Sequence, residues 1–443
     1  MTAQSLERHW MESFAALEAA RTDEPAWLGA SRKAAIARFA ELGFPSRRHE
    51  EWKYTNPARI AKVPWLPADE AAPTRSQLAS FGLPLAEGPH LVFANGRFAP
   101  ELSSLEGLDP SVTAASFRSL LASAPERLEP HLAHLGPFED RAFAALAGAF
   151  ATDGAFVSVP RGIALTRPIY VVFVSLPGAL PTAVHPRLLL VAEPSSRATL
   201  VEAHVGLGSG ALLENSLAEV VVGENAGVEH VALQLEGAEA THIAHSHARI
   251  DRDGRFQSHL VSLGAALARH DVVGTLAAPG ASCTLNGLYV ATDGQHVDIR
   301  TTVDHRAPHG ASRELYKGVL AGRSHGIFNG KVLVRREAQK TDAQQKNDNL
   351  LLSAEAEVDS KPQLEIEADD VRCSHGSTIG QLDAEALFYL RARGLDPHDA
   401  RGLLTRAFAA QITDALPIAV LRERVEAEVL ARVAGALQEV DAA

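Results

Sequence analysis

A chain of 443 residues with 42 Lys and Arg against 54 Asp and Glu carries a formal charge of −12. It is long enough for a large core and for two or three domains, and its acidic balance argues against general nucleic-acid binding, which needs a basic face. The longest apolar run, IYVVFVSL, falls far below the roughly 18 residues that span a bilayer, and MTAQSLERHW at the N-terminus has no apolar signal region, so no membrane insertion and a cytoplasmic location are expected. The only cysteines, Cys283 and Cys373, cannot form a disulfide framework or a four-cysteine metal site. A cluster bound by this chain has to borrow ligands from His, from carboxylates or from a partner.

In chain order, residues 2–50 read as helical: Trp10, Phe14 and Leu17, then Ile36, Phe39 and Leu42, recur at helical spacing. Gly43 with Pro45 is a stop signal. EEWKYTNP runs into extended chain, and residues 60–135, rich in Pro, Ala and Ser, predict a small mixed region. RAFAALAGAF at 141–150 is a short helix. From about Gly154 the texture turns to strands rich in Val, Ile and aromatics.

Turn-like clusters then recur every 26–30 residues, at Pro194-Ser195-Ser196, Glu224–Gly227, Asp251–Gly254, Ala278-Pro279-Gly280 and Pro308-His309-Gly310. That interval suggests a stacked solenoid. Consecutive strands without crossover helices fit a β-helix, a sandwich or a barrel, and the interval favours a β-helix. Beyond Asp383 the chain is helical. Asp383 and Asp396 are caps, Pro397 sits at a first helical position, and a third helix starts near Pro417 with an apolar stripe on Leu421, Val425, Val429, Val433 and Leu437. These helices can cap the solenoid end, present a docking surface, or both. The fold class is therefore mainly β: an N-terminal helical and mixed α/β region over 1–150, a β-helix core over 151–380, and a C-terminal helical domain over 381–443.

Four stretches carry candidate chemistry. The first is Cys373-Ser374-His375. If extended, it presents a thiol and an imidazole on one side, a soft, metal-competent pair. Two ligands do not close a site, and a packed Cys beside a surface His is the alternative. HIAHSHARI puts His245 and His247 on one side of a strand and His242 on the other. No carboxylate or Cys completes that set locally, so it reads as a polar β-helix face. The run from Gly322 to Asn347 gathers Arg323, His325, Lys331, Arg335, Arg336, Lys340 and Lys346, either a groove for an anion or solvated strand faces. Gly322–Gly326 matches GxSxG around Ser324, but strand-like IFNGKVLV follows where a nucleophile elbow needs a helix. GxxxxGK[ST] is absent, so the chain is expected to have no ATP site of its own.

Three segments also carry a resemblance. DDVRCSHGSTIGQLDAEALFYLRARGL, the upstream ELYKGVLAGRSHGIFNGKVLVRREAQKTDAQQKNDNLLLS, and RRHEEWKYTNPARI with its Trp52-Lys53-Tyr54-Thr55 resemble the SufB/SufD family of the SUF iron–sulfur cluster assembly machinery. The likeness is dense over 310–410. Cys-Ser-His-Gly before the helix, and Leu390 where a SufB has Cys, place it on the SufD side. The resemblance implies a right-handed parallel β-helix and a non-catalytic scaffold subunit. It implies pairing with SufB through the β-helix and docking of the SufC ATPase on the C-terminal helices. It places His375, with Cys373, as metal ligands at a transient iron–sulfur cluster shared with SufB. It points weakly to a reduced flavin in the assembled complex, and no residue here supports one. The isolated chain can form a homodimer through the SufB surface. The rival reading is a β-helix carbohydrate-active lyase or esterase using Asp369, Asp370 and Arg372, against which stand the absent secretion signal and the 6% aromatic content.

Overall fold

The computed structural model describes residues 3–21, 24–132 and 140–442. Its centre is a parallel β-solenoid of about eight turns with helices at both ends of the chain. Two sheets form its walls. In spatial order the first runs Ala155–Val159, Arg187–Ala192, Leu212–Val222, Ala240–Ile250, Leu267–Leu276, His296–His305, His325–Val334 and Glu357–Ile366. The second runs His90–Ala94, Ile169–Ser175, Arg197–Gly206, Gly227–Leu235, Arg255–Ser262, Ser282–Ala291, Ala311–Leu320, Asp342–Leu351 and Arg372–Gly380. Thr241 pairs with Leu267 at one extreme and Ala155 with Leu188 at the other, so from Ala155 onward neighbouring strands are between 26 and 33 residues apart.

The repeated turn is what sets this stacking. Ser195, Asn225, Asp253, Gly280 and His309, one from each predicted turn cluster, all have φ between 53° and 76°. That left-handed conformation suits Gly, Asn and Asp. The turns also bond to one another. The Ser195 amide donates to Glu224 O, Asn225 to Arg252 O, Asp253 to Pro279 O, Gly280 to Pro308 O and His309 to Gln339 O. Each coil thus satisfies the backbone of the one before it.

Strand residues alternate between lumen and outer face. Leu200 packs in the lumen with Val228 and Leu285, whereas Val201, Ala203 and Val205 face outward. Both faces are apolar, so both need cover. The N-terminal helices Ala3–Ala19, Ala26–Leu42 and Ala142–Phe150 supply it over the first sheet, where Trp10, Phe39 and Phe143 meet Leu213, Ile243 and Leu267. The C-terminal helices Pro397–Thr413 and Ala419–Ala442 supply it over the second, where Ile412, Leu421, Val425, Val429 and Val433 meet Val231, Val261, Leu288 and Val319. Each such buried side chain contributes about 1.5–3 kcal/mol. These helices therefore cover an outer face rather than cap the solenoid end. The predicted stripe holds over four of its residues; the side chain of Leu437 lies outside the described residues. Asp383 and Asp396 accept backbone N–H bonds as N-caps. No helix among the described residues is long and apolar enough to cross a membrane.

Candidate functional site

The solenoid ends in a coil unlike the others. Its strands, Glu357–Ile366 and Arg372–Gly380, are each the last in their sheet, and neither contains a buried residue. Arg187–Ala192, nearer the other end, is buried throughout. An unpaired parallel edge would ordinarily expose an apolar lumen. Here the lumen turns polar as it opens. The Tyr289 hydroxyl donates to Asn349 Oδ1, and Asn349 Nδ2 donates to Asn347 Oδ1 at 2.7 Å. Ser360 Oγ reaches the same Asn347 oxygen at 2.7 Å, and Ser377 Oγ donates to Ser360 Oγ at 2.7 Å. Water can wet this end without an unsatisfied core. Beside it Ile379, Phe388 and Tyr389 stand 50%, 75% and 57% exposed. Two open strand edges rimmed by exposed apolar groups make a surface for another protein.

Cys373 and His375 both lie on this last strand. Cys373 is half-buried against Val332, Val334, Ala338, Ala343 and Ala368. Burial raises its thiol pKa, Asp342 adds to the rise, and a hydrogen bond from the Ala343 backbone opposes it. His375 is exposed and has no side-chain partner among the described residues. Its register places it at the top of a column: Leu285 pairs with Glu314, Glu314 with Gln345, and Gln345 with His375. The pair thus offers one open imidazole nitrogen donor and one protonated, recessed thiol. Any metal held here needs further ligands from outside the chain.

Glu314, two coils below His375, is buried with its Oε2 unpartnered. Burial pushes its carboxyl up to about 7, against the hydrogen bonds of Thr301 and Gln345. An ordinary Glu titrates near 4.3, so folding takes up a proton between those values, and this group's contribution falls as pH rises from about 4.3 to 7. His245, His259, His296 and His305, each pushed down to about 4 by burial, act in the opposite sense from about 4 to 6.5. The measurement is therefore a difference. Glu314→Gln is expected to match the parent near pH 4.3 and to exceed it by about 3 kcal/mol above pH 7, read from urea midpoints across the range. Parallel pH profiles for the two proteins would show that Glu314 is ionised in the fold.

The other sequence candidates resolve differently. Ser324 is buried in a turn and followed by the strand His325–Val334, so no nucleophile elbow exists. Within the basic run, Lys331 pairs with Glu365, Arg335 with Asp304, Lys340 with Asp370 and Lys346 with Asp348. These four are strand-face and turn ion pairs, not a continuous groove. Asp369 and Asp370 sit exposed on the turn before the last strand, and Arg372 is exposed at its first position.

Known proteins agree with this architecture. The family described as "SUF system FeS cluster assembly, SufBD core domain" matches residues 175–408, and "SufBD protein N-terminal region" matches 4–171. An iron–sulfur cluster assembly SufBD family protein of Synechocystis is 35% identical over 402 residues, covering 89% of this chain and 88% of its own. The iron–sulfur cluster assembly protein SufD of Escherichia coli is 32% identical over 404 residues, covering 90% and 92%. SufD of Bacillus subtilis is 26% identical over 436 residues, covering 96% and 97%. The chain belongs to the SufB/SufD family. Its role lies in iron–sulfur cluster assembly.

Two features of this SufB/SufD-family chain escape sequence reasoning. The first gives the Trp-Lys-Tyr-Thr motif a physical role. The Arg269 guanidinium lies 3.9 Å from the centre of a Trp52 ring and donates to Asp298 at 2.7 Å, to Glu51 O at 2.8 Å and to Asp271 at 3.3 Å. Thr55 Oγ1 donates to Asp298 at 2.6 Å and lies 2.9 Å from His296 Nε2. The motif thus clamps the N-terminal segment to the outer face of the first sheet. The second is a buried Glu and His ladder in the lumen. His204 bonds to Glu214 through Nδ1 and to Glu202 through Nε2, His230 bonds to Glu202, and His242 to Glu236 at 2.6 Å. Ligand atoms of His204, Glu214 and His242 lie within 4.8 Å of one another. Burial alone would lower the His204 pKa, but Glu214 and Glu202 outweigh it and hold it well above its ordinary value. A carboxylate on each ring nitrogen favours the imidazolium form of His204. As expected, His242 faces away from His245, which packs outside; Glu214 reaches His242 from the neighbouring coil, whereas Glu236 lies six residues before it on its own coil.

Proposed function

We propose that this chain is a SufD-type, non-catalytic scaffold subunit of the cytoplasm, which pairs with SufB through the open end of its solenoid. The observation that carries this reading is the terminal coil: two adjacent strands without a buried residue, one of them bearing His375. A partner strand there would complete the backbone ladders and cover Ile379. His375, with Cys373 beside it, then faces the partner and contributes to a transient cluster whose other ligands the partner supplies. The same edges account for pairing with a second copy when the chain is isolated. The C-terminal helices are the proposed seat of SufC, since Leu403 and Val420 remain 46% and 47% exposed after those helices have covered the second sheet. ATP hydrolysis belongs to SufC in this reading.

The test is co-purification with SufB and SufC of the same organism. The parent is expected to form a complex with both. Ile379→Asp is expected to lose SufB and keep SufC, because a charge on the edge strand is left unpaired at the interface. Leu403→Asp is expected to lose SufC and keep SufB. A chain that associates with neither partner, or variants that lose both partners together, would sink the division of surfaces.

A further inference from the structure

Four cations of the basic run are neutralised by a neighbouring carboxylate; Arg323 is not. It sits on the turn between Ala311–Leu320 and His325–Val334 and lines a pocket of about 420 Å³. Across that pocket stand Arg47, Tyr54 and Arg59 of the N-terminal segment, with His296 and His325 on the first sheet. The pocket exists because the Trp52 and Thr55 clamp seats this segment against the sheet.

The electrostatics of the pocket oppose those of the chain. Three guanidiniums face one lining carboxylate, Glu357, in a protein of net charge −12. Arg59 and Arg323 make no ion pair or side-chain hydrogen bond among the described residues. Arg47 uses only Nε, on Lys53 O at 3.1 Å, which leaves its terminal nitrogens. The rings of His296 and His325 stand 4.9 Å apart at 87°. Each spends Nε2, on Thr55 and Asp359, and keeps its other nitrogen. Asn56 uses its side-chain oxygen on the Ala58 amide, so its NH2 is open to a ligand. Converging like charges repel one another, and a bound anion removes that repulsion. Guanidinium forks suit phosphate oxygens. The volume lies in the range of small-molecule sites and exceeds what one phosphate fills.

We infer that this pocket binds a phosphate-bearing small molecule, with its phosphate oxygens on Arg47, Arg59 and Arg323 and the remainder against Tyr54 and Asn56. The pocket meets the terminal coil only at Glu357, and its binding is tested on the chain alone.

The probe is inorganic pyrophosphate, titrated calorimetrically into the purified full chain at low salt. Saturable one-site binding is expected, weakened at least tenfold by Arg59→Ala and by Arg323→Ala. Lys346→Ala removes a cation paired to Asp348 elsewhere and is expected to change nothing. Both arginines are exposed, so their variants are expected to melt with the parent. Absence of saturable binding would overturn the inference. So would equal weakening by Lys346→Ala, which marks a diffuse field, or sulfate binding as tightly as pyrophosphate, which marks charge without phosphate recognition.

Discussion

His375→Ala is expected to leave the assembled complex intact while its cluster absorption falls to a small fraction of the parent's. The side chain is exposed and has no partner among the described residues, so its loss costs the fold less than about 0.5 kcal/mol. What disappears is the one open imidazole on the edge strand. Cys373 cannot stand in for it, because that thiol is half-buried and its pKa is raised, and the thiolate is the form that ligates. Cys373→Ala is expected to act differently, with a modest loss of stability from its packing on Val332, Val334 and Ala343 and a smaller loss of cluster. The measurement is the visible spectrum of complexes co-purified without oxygen, set against SufB and SufC stoichiometry. A His375→Ala complex carrying as much cluster as the parent would reduce this chain to an architectural part.

The solenoid is legible in the sequence because its corners are local. A left-handed residue at a turn selects Gly, Asn or Asp, or tolerates Ser and His, and five such clusters fall at one interval. The next corner, Lys340 at φ 63°, carries no turn residue in its own position. Its amide bonds to Asp370 O, so the stacking holds it where propensity would not. What lies over each sheet is far less legible. Val201, Val231 and Val261 announce an apolar outer face, but the helices that cover it come from more than 130 residues away, and nothing local says whether a helix lies over a face or an end. The same limit hid the ladder and the clamp. His242 finds Glu214 only because one coil stacks on the next, while Glu236 reaches it around a corner of its own coil. Thr55 finds Asp298 across 243 residues. Cys373 and His375 were legible as a pair because they are two apart on a strand; that one is recessed and the other open follows from being on the last coil.

Arg269→Ala is expected to destabilise the protein by about 4 kcal/mol, the largest stability effect of any single change considered. Arg269 is 2% exposed and sits between Asp271 and Asp298, beneath Trp52. Removing one partner of a buried ion pair costs about 3–5 kcal/mol, because the remaining charge is left uncompensated, and here two carboxylates are left. The pH dependence identifies the cause. Burial would raise the Asp271 pKa, but Arg269 and neighbouring cations outweigh it and hold it well below the usual carboxylate range. A lowered folded-state pKa contributes stability above the unfolded value of about 3.9, and that contribution is lost as pH falls through the folded value. The variant forfeits it, so the gap between parent and variant is expected to be widest at neutral pH and to narrow below about pH 4. Trp52→Ala combined with Arg269→Ala should cost less than the two singles added, by about 1 kcal/mol or more, since the pair is in contact. Urea unfolding of the four proteins measures both quantities. A loss under about 1 kcal/mol for Arg269→Ala, or full additivity with Trp52→Ala, would mean that the segment is held elsewhere. If the loss is as large as expected, the clamp also governs the pocket beside it. Tyr54, Asn56 and Arg59 flank the anchors Trp52, Thr55 and Ile60, so Arg269→Ala, by loosening Trp52, should weaken pyrophosphate binding without touching a residue that lines the pocket.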